Sequence, residues 1–252
     1  MIELVNDLQH RLQRRAQPSK RRWWEQYLQG EAAFRGVPMA DVRAAVGAWC
    51  EDYGVISFTD HQLLRLAQSM VRQEYTEDKL AAALFLKEHV LPAGRLEWKD
   101  ALSALQDYFD DGFLADWNVV DWFCVKPLAG LVDRDGAACG KEVLGWSAAP
   151  NLWRARASLV TFANVASRGE MVFAGFPAGA LEASADLIVR PERFAKTAVG
   201  WTLRGLREAA PALVDGFVAG HLSHFNLEAL RSVLKNADPE VRRGFVQQFQ
   251  AA

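Results

Sequence analysis

Apolar residues recur along this chain at the three-to-four spacing of an amphipathic helix in nearly every segment. Residues 57–74 place Leu63, Leu64, Ala67 and Val71 on one face, behind Ser57 and Asp60, a capping-box-like pair. Residues 76–91 repeat the pattern with Leu80, Ala83, Leu84 and Leu86, opened by Thr76 as N-cap. Near the end, Asp238, Pro239 and Glu240 supply a cap, a proline at the first helical position and a first-turn acid, a strong helix start. Three more apolar stripes follow the same period: Val120, Phe123, Cys124, Leu128 and Leu131; Leu152, Ala155, Leu159, Phe162 and Ala163; and Ala195, Val199, Thr202, Leu203 and Leu206. Strand signals are scarce, and the best, "MVFAGF" at 171–176, is short and isolated.

This pattern predicts an all-α chain of roughly a dozen helices joined by short turns rich in Gly, Pro and Asp. No Pro/Ser-rich linker divides it, so residues 1–252 are expected to form a single domain. Many helices with short connectors suit an α-solenoid of stacked antiparallel helix pairs, and a faint period of about 40 residues fits HEAT-like repeats. Such stacks build concave surfaces rather than deep pockets.

Charge adds a polarity to that picture. The formal net charge is −2, which weighs against a strongly basic nucleic-acid binder. The distribution is uneven, however. Residues 10–22, "HRLQRRAQPSKRR", contain Arg11, Arg14, Arg15, Lys20, Arg21 and Arg22 and no acid, whereas Asp107, Asp110, Asp111 and Asp116 crowd a short stretch. Cys50, Cys124 and Cys139 are odd in number and none are spaced as a CxxC pair, so neither a disulfide framework nor a zinc site is expected. His221 and His224 form no metal signature, and no metal or cofactor is implied. The absence of a signal-like start or a spanning apolar run leads to the expectation of a cytoplasmic protein without membrane contact.

Certain residues fall off the buried stripes. Trp117 and Asp121 share a helix face at the edge of their stripe, and Trp122 lies on roughly the opposite side. Trp201 and Arg204 point away from the core face of 193–210. Arg156 sits at the margin of its own stripe and calls for an anionic partner. Two readings stand for this set: rim packing with a structural Asp121–Arg156 ion pair, or a ligand site in which arginine meets phosphate. The N-terminal basic run also reads two ways, as a solvated helix end or, beside Trp23, Trp24 and Tyr27, as a DNA grip through residues such as Arg21 and Arg22.

Five segments in order resemble the DNA alkylation repair family, the AlkD-like HEAT-repeat DNA glycosylases. They are "YLQGEAAFRGV" (27–37), "WNVVD" (117–121), "NLWRARASLV" (151–160), "FAKTAVGWTLRGLREAAPALV" (194–214) and "LSHFNLEALRSVL" (222–234). The resemblance implies a solenoid that holds duplex DNA in a basic concave groove and excises purines alkylated at N3 or N7, without a tight base pocket. It implies Asp121 as catalytic carboxylate, Trp117 and Trp201 beside the lesion, Arg156 and Arg204 on the backbone, and Tyr27 at the cleft edge. The sequence departs from the family pattern at Asn118, Thr197 and Gly205, and segment 168–192 is longer than usual. A monomeric, monofunctional glycosylase follows, serving general repair or self-resistance to an alkylating natural product. A non-catalytic DNA-structure binder and a protein-interaction scaffold are the alternatives on the same fold.

Overall fold

The computed structural model describes residues 1–251. Fourteen α-helices account for most of the described chain, with short 3-10 and π turns between them and no named strand among the described residues. The chain divides into two compact units, Met1–Leu131 and a second that begins at Val132.

In the first unit, α1 (Ile2–Gln13) packs on α3 (Met39–Asp52) and α4 (Asp60–Val71), and α3 packs on α5 (Thr76–Phe85). Helix α4 also meets α5 and α6 (Trp98–Asp110), and α5 meets α7 (Trp117–Phe123). Odd-numbered helices thus stack in series, α1 on α3, α3 on α5 and α5 on α7, while α4 stacks on α6 and bridges to α1 and α5, the layering of a helical stack. Helix α2 (Pro18–Tyr27) stands apart from this order, with no fully buried residue. The second unit repeats the rule: α9 (Leu152–Val160), α11 (Arg193–Ala209) and α13 (Leu227–Val233) pack in series, and α10 (Phe176–Ile188) packs on α12 (Pro211–His221). Helix α8 (Ala129–Gly145) leads into this unit and is interrupted at Gly136, whose φ is 71°. Helix α14 (Pro239–Ala251) closes the described chain.

The periodic stripes are the cores of these units. Val120, Phe123, Cys124, Leu128 and Leu131 are all buried, as are Ala195, Val199, Thr202, Leu203 and Leu206. Asp238 caps α14 as the sequence predicts, its Oδ1 accepting from the Glu240 amide at 2.8 Å.

Three local expectations are corrected. The cap of α4 is Thr59, not Ser57. Its hydroxyl accepts from the Gln62 amide and the Gln62 side chain accepts from the Thr59 amide, a complete capping box two residues later. Thr76 is the first helical residue of α5 rather than its cap, which is Tyr75, and the Thr76 amide donates to the Ala33 carbonyl at 2.9 Å. The segment 171–176 is not a strand. It runs from a 3-10 turn (Ala166–Met171) into α10, with Gly175 left-handed at φ 82° and Pro177 in the first turn. Its apolar content serves an aromatic cluster instead, in which Phe176 and Phe173 lie 5.1 Å and 6.1 Å from Phe162.

Candidate nucleic-acid site

In the first unit the sequence-nominated residues meet around α7. Asp116 caps this helix, its Oδ1 accepting from the Val119 amide at 3.0 Å. Burial pushes the Asp116 carboxyl above the ordinary carboxylate range, and the nearby Lys79 only partly offsets this. Lys79 is itself desolvated, which lowers its pKa, and it donates to the Phe113 carbonyl at 2.7 Å. Asn118 is buried in the same first turn. Its neutral amide gives a physical reason for the departure from the family's acid: a second carboxylate would be buried between Asp116 and Asp121. Trp117 and Asp121 are both half-buried at the edge of the apolar stripe, as expected, and Trp122 is half-buried too. After Phe123 the helix opens into one π turn, Cys124–Leu128, which contains Pro127. Proline has no amide to continue the regular ladder, so the wider turn absorbs the break.

Trp117 meets Tyr27 edge-on at 5.9 Å between ring centroids. Tyr27 in turn stacks flat on Trp23 at 5.2 Å and 7° between planes, and both rings are more than half exposed. Trp24 anchors the other side of α2 by stacking on the buried Phe34 at 5.5 Å. The result is an exposed aromatic shelf continuous with Trp117. Arg21 and Arg22 are exposed on the same short helix, and Arg21 pairs with Glu25 at 2.7 Å.

What holds α2 in place was not visible in the sequence. Glu77 is buried and its carboxylate accepts from three successive amides: Arg35 at 2.9 Å, Gly36 at 2.7 Å and Val37 at 3.0 Å. Beside it, Arg35 pairs with the buried Asp78 at 2.6 Å and lies over the Tyr75 ring. The Gly36 carbonyl accepts from the Gln17 amide at the start of α2. Gly36 has φ +88°, and a Cβ there would stand 2.4 Å from the Gln17 carbonyl oxygen and 2.6 Å from the Arg21 amide. The Phe-x-Gly-Val element is thus a clamp on the root of α2. A Glu-Asp pair in the first turn of α5 was the available signal, but it reads as ordinary helix-start acidity.

In the second unit the sites lie on α9 and α11. Arg156 is not marginal as expected: it is only 4 % exposed. Its guanidinium lies over the Phe194 ring, and Nη1 donates to the Phe194 carbonyl at 2.8 Å and to Thr197 Oγ1 at 3.1 Å. Thr197, where the family has alanine, therefore supplies an acceptor to this arginine. One and two turns further along α11, Trp201 and Arg204 are half-buried. Thr202 ties the helix to α9 through its hydroxyl, which donates to the Leu159 carbonyl at 2.9 Å. An ideal Cβ on Gly205 would stand 3.3–3.5 Å from Ala166, Ala163 and Ser167 in the turn after α9, so the glycine lets α11 pack closely on that turn.

No cluster of three or more His, Cys, Asp or Glu side chains among the described residues could hold a metal ion. Cys50, Cys124 and Cys139 are free and buried. No helix among the described residues is long and apolar enough to cross a membrane.

Stacked helix pairs that present aromatic and basic side chains from successive helices are the architecture of a helical-repeat protein. The family model for DNA alkylation repair enzymes matches residues 8–236, and the chain belongs to that family. The fold is shared with a chain described as a predicted DNA alkylation repair enzyme from Enterococcus faecalis. The TM-score is 0.74 at 15% identity, covering 89% of this chain and 98% of that one. No curated protein matches the sequence.

Proposed function

We propose that this protein is a monofunctional DNA glycosylase that hydrolyses the N-glycosidic bond of purines alkylated at N3 or N7 in duplex DNA. The observation that carries the reading is Asp121, a half-buried carboxylate one helical turn from Trp117, which is itself in contact with the exposed Tyr27 shelf, in a chain of the DNA alkylation repair family.

Alkylation at N3 or N7 leaves the purine cationic. The C1′–N bond breaks with its electron pair going to the base, which departs neutral and needs no general acid. The sugar becomes oxocarbenium-like, and a fixed carboxylate stabilises that charge. Asp121 fills this role and orients the water that adds at C1′ as it loses a proton. The indole faces of Trp117 and Trp201 favour the cationic base, by about 0.5–2 kcal/mol each. Arg204 holds the DNA backbone, and Tyr27, Arg21 and Arg22 contact it as well. Arg156, implied by the resemblance as a backbone contact, is buried on Phe194 and Thr197 and acts instead by positioning α11. The protein acts as a monomer without a cofactor, in general repair or in self-resistance to an alkylating toxin.

The test is base release, measured by mass spectrometry over a panel of small and bulky alkylated duplexes. Asp121→Asn is expected to bind duplex like wild type but to lose release by about 10²–10³-fold. Equal release by the two proteins would remove Asp121 from the chemistry. Binding without release of any adduct would assign the protein to the non-catalytic DNA-structure binders.

A further inference from the structure

Beyond the family match, which ends at residue 236, α14 brings Arg242 and Arg243 to the side of a cavity of about 470 Å³ that Arg231 and Lys235 line from the α13 side, with Val246 and Gln247. All four cations are exposed. Two other exposed or half-buried arginines of this unit meet carboxylates at close range: Arg193 pairs with Glu228 at 2.7 Å and Arg207 with Asp215 at 2.8 Å. In the cavity, the one ion pair recorded among the described residues is a 4.0 Å contact of Arg243 with Glu240, both solvated.

Helix electrostatics explain only half of this arrangement. Arg231 and Lys235 lie at the C-terminal end of α13, where the helix dipole favours cations. Arg242 and Arg243 are the fourth and fifth residues of α14, past the turn in which a helix end acts appreciably, so the dipole gives no reason for cations there. Four like charges are therefore gathered against mutual repulsion, in a chain whose net charge is −2. An anion with repeated charges at fixed spacing relieves that arrangement, and a nucleic-acid backbone is such an anion.

We propose that the α13–α14 cavity is a contact surface for the duplex DNA backbone, separate from the residues assigned to base release. This rests on the reading that the protein acts on duplex DNA. Its role is to add affinity independent of the lesion, so that the enzyme is held on undamaged duplex while it searches.

The experiment is a salt titration of undamaged-duplex binding by the full chain, run in parallel with base release from alkylated duplex. The Arg242→Gln/Arg243→Gln variant changes exposed positions only. It is expected to bind about three- to tenfold more weakly, and the slope of log affinity against log salt should fall by about 1.8 for two lost phosphate contacts. Single-turnover release at saturating enzyme should be unchanged. Lys99→Gln/Lys141→Gln removes the same charge from exposed positions elsewhere and should leave the slope in place. Equal slope losses in the two variants would reduce the effect to net charge and overturn the proposal. An unchanged slope in the Arg242/Arg243 variant overturns it while base release stands. A slope loss with no release by wild type sinks the glycosylase reading alone, and no duplex binding by wild type sinks both. Loss of poly-glutamate binding with duplex binding intact would reassign the cavity to an acidic protein partner and overturn it as well.

Discussion

Asp116 and Asp121 belong to one helix start and carry different burdens. Asp116 is the cap, and its desolvation holds the carboxyl above the ordinary range. The folded chain therefore favours its neutral form. That contribution to stability is present below the unfolded carboxylate value and is lost as pH rises through the higher folded one. Asp116→Asn keeps an oxygen to accept the Val119 amide and abolishes the titration. Relative to wild type, the variant is expected to gain stability as pH rises from about 3 to about 7. Urea unfolding across that range checks this, and a difference that stays flat with pH would mean that burial of the charge is not what governs Asp116. The same reasoning accounts for Asn118, whose amide adds no further charge to a buried turn.

The element that decides access to the first unit's aromatic shelf is α2. It buries nothing fully, so its place depends on Trp24 against Phe34 and on the loop that Glu77 clamps. Gly36→Ala asks a residue with a Cβ to adopt φ +88° and puts that atom against the backbone of Gln17 and Arg21. Strain and overpacking together are expected to cost about 2–5 kcal/mol. Urea unfolding measures the loss, and a variant as stable as wild type would show that the α2 root does not depend on this close approach. The elements themselves were legible in the sequence wherever the apolar period was long, as in α4, α7 and α11. Caps slipped by a residue or two, because Thr59 and Ser57 are both good caps by composition and Thr76 looks like one although the cap position falls to Tyr75. The strand reading of 171–176 failed because a short apolar run fits a strand or a packed turn equally well, and here the partner was Phe162 rather than another strand.

Over the whole molecule, the two units carry one buried cysteine each whose thiol burial pushes up to about 12, Cys50 in the first and Cys139 in the second. With so little thiolate, neither is expected to react with a thiol reagent in the native state at pH 8. Mass-resolved labelling along a urea gradient should then report the opening of each unit separately. Rapid native labelling of Cys50 or Cys139 would show that its unit opens locally without unfolding.

The sequence alone determined the helical class, the buried stripes and the family, since each depends on residue types at short, regular spacing. It also determined that Trp117 and Asp121 share a face, because a helix turn fixes that at once. Only the tertiary structure decided that Tyr27 stands against Trp117, that Glu77 and Gly36 lock the helix carrying Tyr27, and that Arg156 is buried on Phe194 and Thr197. Those contacts join residues roughly 15 to 90 positions apart, and no local period encodes them.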